Sequence, residues 1–206
     1  MVDTFHTYET DGYFDCSIYM GDHTGTHLES SIHFNKNGVP IEKTPLSDYY
    51  GPAAVLDFTH KKGRVDITSN EIKDIAKKAG VDVSKTKTVL IRTDVSKLWG
   101  TPEYHSNDRP SITVEAHEWL LNQGVKIIGV DMLVTERDYL GTKPSIKPSD
   151  PERWPAHCLM NKYDFYILEN LTNLAKIPKP SFTFIGFPLC IAGSGASPIR
   201  AVALLE

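Results

Sequence analysis

The chain has 206 residues with 22 Lys and Arg against 26 Asp and Glu, and a net charge of -4 with no basic run argues against a dedicated nucleic-acid binder. Hydrophobic residues make up 40% and charged residues 23%, ordinary globular usage, so one domain over 1–206 is expected, long enough to bury roughly 70% of its unfolded surface. Cys16, Cys158 and Cys190 stand far apart without CxxC spacing, which indicates neither a disulfide framework nor a thiolate zinc site; with no apolar signal core and no run near the ~20 residues of a membrane span, a soluble cytoplasmic protein with no membrane partner is expected.

In chain order, "FDCSIYM" (14–20) alternates Phe14, Cys16, Ile18 and Met20 with other residues, which predicts a half-buried strand. The histidine-rich "DHTGTHLESSIHF" (22–34) follows directly. Further β-rich runs are "AAVLDF" (53–58), "TVLIRT" (88–93), "KIIGVD" (126–131), "DFYILEN" (164–170), "FTFIGFPLCIA" (182–192) and "RAVALL" (200–205). Several are apolar on both faces, as in strands covered on both sides. A helix is predicted near 69–79, opened by a Thr68–Glu71 capping box, with Ile72, Ile75 and Ala76 on one face and Gly80 as its stop. A second is predicted near 112–123 from Ile112, Ala116, Trp119 and Leu120, ending at Gly124. "GTKPSIKPSDPERWP" (141–155), with Pro144, Pro148, Pro151 and Pro155, is a long loop of the kind that is often functional. The pattern is mixed α/β with strands in the majority.

His23, His27 and His33 fall within eleven residues, with Glu29 between the last two. Imidazole and carboxylate together suit a first-row divalent metal. An extended 27–29 points His27 and Glu29 to one side, and a turn at Gly25 brings His23 round to meet them. His33 reaches the same patch from outside that trio. The plainer alternative is a set of exposed histidines on a polar loop. Two-metal hydrolytic sites hold their ions about 3.5–4 Å apart and share a carboxylate, so a second ion needs ligands from elsewhere in the chain. His157, ahead of "DFYILEN", and Glu169, within it, are candidates. A carboxylate in an apolar strand costs several kcal/mol unless it is paired or metal-bound; the alternative is a strand-end glutamate facing solvent.

"HTGTHLESSIHF" fits the pattern H-x-G-T-H-x-[DE]-x-x-x-H-F and resembles the signature of the cyclase family of metal-dependent hydrolases, which includes bacterial kynurenine formamidases and isatin hydrolases. "GPAAVLDF", "VLIRTDVSKLWG", "GVDML", "AHCLMNKYDFYILENLTNL" and "PLCIAGSGASPIRAVAL" continue the resemblance in order over nearly the whole chain from about residue 12. The resemblance implies an α/β fold of the swivelling β/β/α type, with a barrel-like mixed sheet flanked by helices, assembled as a homodimer or homotetramer. It implies His23 and His27 as ligands of one metal, Glu29 as the bridging carboxylate, His157 and Glu169 completing a second metal, and His33 as the acid and base. The ions are expected to be Zn or Mn, two per subunit. Three departures stand out. The bridging carboxylate is commonly aspartate where this chain has Glu29; Ala-Pro commonly follows where this chain has Ser30-Ser31; and members usually begin earlier, with a strand carrying Asp-Leu-Ser/Thr, which suggests a short gene or a misassigned start.

The implied chemistry is attack by metal-activated hydroxide on a formamide, amide or ester carbonyl, with His33 passing the proton to the leaving amine. The expected substrate is a small amide or ester, foremost N-formylkynurenine, with a lactam such as isatin as the alternative. Trp99 and Trp154 are candidates for stacking on an aryl group, against a plain packing role. Ser197 is either a substrate or subunit contact or part of a turn. "GSGAS" matches neither a phosphate loop nor a serine-nucleophile elbow, and a Cys158–His157 pair is unsupported. A non-catalytic metal-binding scaffold on the same fold is the reading from another class, and turnover separates it from an enzyme.

Overall fold

The structure is a computed structural model and describes every residue except Gly141, Lys143 and Glu206. In chain order its elements are β1 (Val2–His6), α1 (Tyr8–Asp11), β2 (Asp15–Ile18), β3 (His27–Glu29), β4 (Tyr50–Asp57), β5 (Asp66–Ile67), α2 (Ser69–Lys78), β6 (Thr88–Arg92), β7 (Ser111–Ile112), α3 (Val114–Asn122), β8 (Ile127–Val130), β9 (Tyr166–Glu169), β10 (Ser181–Ile185), β11 (Ala196–Pro198) and β12 (Val202–Leu204), with short 3₁₀ turns in the connections.

Eight strands form one mixed sheet in the order β11-β3-β9-β8-β6-β4-β10-β12. The four central strands, β9, β8, β6 and β4, run parallel, and the outer pairs are antiparallel. Both faces of β6, β8 and β9 are covered, so their side chains sort to two apolar layers by the period of two. Val89 and Ile91 join Leu56, Ile128 and Ile167 beneath α2 and α3. Leu90 faces the other way and meets Leu28, Ala53, Leu168 and Phe184, drawn from strands across the whole sheet. Chain connectivity enforces that meeting. β11 and β12 lie at opposite edges of the sheet, yet only Ile199, Arg200 and Ala201 separate them. A flat eight-stranded sheet would be roughly 33 Å across, whereas four Cα steps reach at most about 15 Å. The sheet therefore curls into a half-barrel, the barrel-like mixed α/β architecture expected.

The first predicted helix is α2, and both arms of its capping box form: the Thr68 hydroxyl accepts from the Glu71 amide while the Glu71 carboxylate accepts from the Thr68 amide. Gly80 ends it at φ 69°. The second, α3, starts two residues later than expected. Ile112 belongs to β7, paired with Ile67, and Thr113 caps the helix by accepting from the Ala116 amide. Two strand expectations need correction. The segment 14–20 is a strand only over 15–18, and it is not half-buried: it pairs with β1 alone, outside the main sheet, leaving Phe14 53% and Ile18 64% exposed. Alternation reports a strand, not what covers it. The run 182–192 leaves the sheet after Ile185, where Gly186 donates to the Tyr49 carbonyl and a side chain at Gly186 would strike the Phe184 ring.

The predicted loop 141–155 includes Gly141 and Lys143, which lie outside the described residues; its far end folds into a 3₁₀ turn at Pro151–Arg153, tied down by Arg153 to Asp138 at 2.9 and 2.8 Å. No helix among the described residues is long and apolar enough to cross a membrane.

Because the α2 capping box is complete, Thr68→Ala is expected to lower the unfolding free energy by about 1 kcal/mol, measured by urea denaturation.

Candidate metal centre

The three residues of β3 place His27 and Glu29 on one face, with Leu28 turned into the core between them. His27 Nε2 lies 3.2 Å from Glu29 Oε1. Gly25, at φ 64°, takes a left-handed turn that a side chain resists. That turn returns His23 to the patch, its Nε2 3.6 Å from the same Glu29 oxygen. β9 runs beside β3 with Glu169 directly across from His27, and Glu169 Oε2 is 3.7 Å from His27 Nε2. His157 arrives from a 3₁₀ turn, His157–Asn161, its Nε2 3.3 Å from Glu29 Oε2 and 3.8 Å from Glu169 Oε1. All five residues singled out as ligands thus converge.

The three imidazoles facing Glu29 have their other nitrogen committed. His23 Nδ1 is 2.8 Å from Asp22 Oδ1, His27 Nδ1 is 2.9 Å from the Gly25 carbonyl, and His157 Nδ1 is 2.6 Å from Glu136 Oε1. Each partner is an acceptor, so each Nδ1–H donates and each Nε2 turns a lone pair towards Glu29. Lone pairs and carboxylates packed together need positive charge between them. With only protons to supply it, burial and the charge of Glu29 push the Glu169 carboxyl well up. Burial works against a charged His157, yet Glu136 and Glu29 hold its imidazole well above the usual range. Burial likewise opposes the Glu29 charge, but His157 and His27 hold that carboxyl well below its ordinary value.

A divalent cation satisfies the same donors. His27, Glu29 and Glu169 each offer a donor atom within 4.8 Å of the others, and so do His23, Glu29 and His33. Glu29 belongs to both groups. The pairings implied by the resemblance are close as well: the His23 and His27 ring centroids are 5.1 Å apart, and His157 Nε2 is 3.8 Å from Glu169 Oε1.

His33 sits on the 3₁₀ turn Ser31–His33, its ring centroid 4.2 Å from that of His23. Gly38 lets neighbouring backbone close on this turn, and Gly195 packs beside it. A Cβ at Gly38 would lie 2.5 Å from the Ile32 nitrogen, and one at Gly195 would lie 3.4 Å from His33 Cα. The "GSGAS" segment is therefore a buttress: the Gly195 carbonyl accepts from the Ser30 amide at 2.8 Å. Ser30 and Ser31 are buried and bonded, Ser31 Oγ accepting from the Val39 amide at 2.9 Å. Desolvation within the cluster, with the neighbouring His23 and His157 adding to it, pulls the His33 imidazole down to about 4 although the residue is exposed at the cavity.

Sequence reasoning missed Glu136, which accepts from the Ala156 and His157 amides, both at 2.8 Å, as well as from the His157 ring. It also missed Asn170, at φ 56°, whose Oδ1 accepts from Tyr104 Oη at 2.5 Å beside His27. Neither has a local signature, because each partner lies far away in the chain. The centre opens into a cavity of about 490 Å³ lined by Glu29, His33, Phe34, Arg109, Trp154 and Glu169, among others. Trp154 is thus in place to meet a substrate; Trp99 is not in this cavity but half-exposed against Tyr104. Ser197 is neither an exposed contact nor a turn: it is buried in β11, accepting from the Leu189 amide. Cys158 contacts the Pro151 carbonyl and is not among the lining residues.

Residues 2–137 match the family described as "Putative cyclase". A kynurenine formamidase of Sphingopyxis alaskensis is 30% identical over 192 residues, covering 91% of this chain and 81% of its own. One from Bacillus cereus is 26% identical over 187 residues, covering 90% and 77%. Among solved structures, isatin hydrolase A from Ralstonia solanacearum matches with a TM-score of 0.85 at 25% identity, over 100% of this chain and 81% of that one.

Glu136→Ala would strip a buried imidazole and two buried amides of their acceptor. The expected cost is about 3 kcal/mol or more, read as a loss of unfolding free energy in urea.

Proposed function

The chain belongs to the cyclase family, and from that premise we propose that it is a metal-dependent hydrolase of a small amide, with an aryl formamide such as N-formylkynurenine as its substrate. The observation that carries this reading is the convergence of His23, His27 and His157 Nε2 on Glu29, at 3.6, 3.2 and 3.3 Å. His23, His27, Glu29, His157 and Glu169 would hold the metal, and donors without thiolate suit zinc or manganese. That Glu29 serves both donor groups supports two ions sharing it. A metal held there lowers the pKa of bound water towards neutrality and polarises the scissile carbonyl.

The remaining tasks fall to the protein's own groups. With its imidazole near 4, His33 is neutral at pH 7, so it enters the reaction as a proton acceptor and returns the proton to the leaving amine. Phe34, Leu133, Val134 and Trp154 give the cavity apolar walls for an aryl ring. Similarity to kynurenine formamidases supports the formamide. The structural match to an isatin hydrolase supports a cyclic lactam as the second reading.

His27→Ala is expected to lose bound metal. His33→Ala is expected to keep it while kcat falls by about 10²–10⁴; wild-type turnover in that variant would remove His33 from the mechanism. The deciding assay is hydrolysis of N-formylkynurenine and isatin by chelator-stripped protein with Zn²⁺ or Mn²⁺ added back. Metal-restored turnover of the formamide supports the reading, turnover of isatin alone moves the substrate to the lactam, and metal binding with turnover of neither contradicts both substrates.

A further inference from the structure

Arg109 is 6% exposed and lines the same cavity as Glu29, His33, His157 and Glu169. It precedes β7, in the turn that follows the 3₁₀ segment Pro102–His105. Its Nη1 donates to the Ser106 carbonyl. Its Nε is fully buried without a hydrogen-bond partner, and among the described residues no carboxylate oxygen lies within 4 Å of its guanidinium. Arg92, Arg137 and Arg153 are more exposed and are paired: Arg92 with Asp57 and Asp94, Arg137 with Asp66, and Arg153 with Asp138. Asp138 also lines the cavity, but both of its oxygens are held by Arg153, at 2.9 and 2.8 Å.

A guanidinium stays charged throughout the accessible pH range, and burying one without an anion is costly. Arginine is almost never fully buried unless it is paired. Ser106 occupies Nη1 and Nε is closed off from solvent, which leaves Nη2 to meet an anion in the cavity with a charge-assisted hydrogen bond. Glu29 and Glu169 do not fill that role, since neither comes within ion-pair reach of it.

We propose that Arg109 is a specificity-determining residue of this site, its guanidinium binding through Nη2 a carboxylate that the amide substrate carries apart from the carbonyl to be cleaved. This rests on the hydrolase reading above and narrows it. A lactam such as isatin has no carboxylate before cleavage, and the one it gains forms at the attacked carbon. An open-chain amide with its own carboxylate places that group where Arg109 waits and the scissile carbonyl where Glu29 and His33 sit.

The test is kinetic, on metal-loaded wild type, Arg109→Met and Arg109→Lys, with N-formylkynurenine and its methyl ester as a matched pair differing in the carboxylate. Wild type is expected to favour the acid. Arg109→Met should raise KM for the acid roughly 10- to 100-fold, leave kcat/KM for the ester within about twofold, and keep its metal. Arg109→Lys should recover part of the preference, and carries the comparison alone if the methionine variant does not fold. Acid and ester falling together would show that Arg109 only supports the structure, and an unchanged preference would show that it does not read the carboxylate; either overturns the proposal. Should wild type hydrolyse neither compound, the formamide reading fails separately. Calorimetric binding of kynurenine against kynurenine methyl ester then decides: tighter binding of the acid that disappears in Arg109→Met sustains the proposal, and equal binding of the two overturns it.

Discussion

Glu29 is buried among the Nε2 atoms of His23, His27 and His157, whose Nδ1 protons are already given to Asp22, Gly25 and Glu136. Across the strand pair, Glu169 adds a second buried carboxylate. Donor atoms of one polarity crowded out of water cost several kcal/mol unless positive charge joins them. The committed Nδ1 atoms matter as much as the facing ones, because they fix which nitrogen is free and where it points.

The fold is arranged to hold this crowd in place. β3 and β9 pair so that His27 and Glu169 are opposite one another, and β9 is itself pinned beside β8 in the parallel centre of the sheet. Residues on short strands in the middle of a sheet have little freedom to relax, which suits a site needing placement within a fraction of an ångström. The chain then brings His157 and Glu136 from turns at the strand ends. Curling closes the same sheet behind the site, since the segment that buttresses His33, 194–198, becomes an edge strand three residues before the other edge begins. Gly38 allows backbone to approach the His33 turn where a side chain would push it away.

Much of this was legible in the sequence where the cause is local. His27 and Glu29 share a face because a strand alternates; Gly25 turns the chain because it lacks a Cβ; Thr68 and Glu71 cap α2 because they sit three apart. The family pattern extended that reading to His157 and Glu169, which spacing alone only nominated. What stayed hidden depends on contacts between distant segments. Glu136 is an unremarkable acid in "VTERDYL" until the chain returns 21 residues later with His157. Arg109 reads as a loop charge and is buried in a cavity wall. The segment 14–20 departs from expectation for the same reason: its alternation is genuine, but which sheet it joins is a tertiary fact.

Within one cavity the site combines a cluster hungry for positive charge and an arginine without an anion. The two halves ask for different parts of one molecule, a polarised carbonyl at one end and a carboxylate at the other. The claim on which this depends is that the donors around Glu29 hold divalent metal. The most direct measurement is an anomalous difference map from crystals of the protein reconstituted with Mn²⁺. The expected result is density enclosed by His27, Glu29 and Glu169, with a second peak by His23 if two ions share Glu29. A map without a peak in contact with Glu29, from protein crystallised in saturating Mn²⁺ and in a parallel crystal with Zn²⁺, would contradict the account.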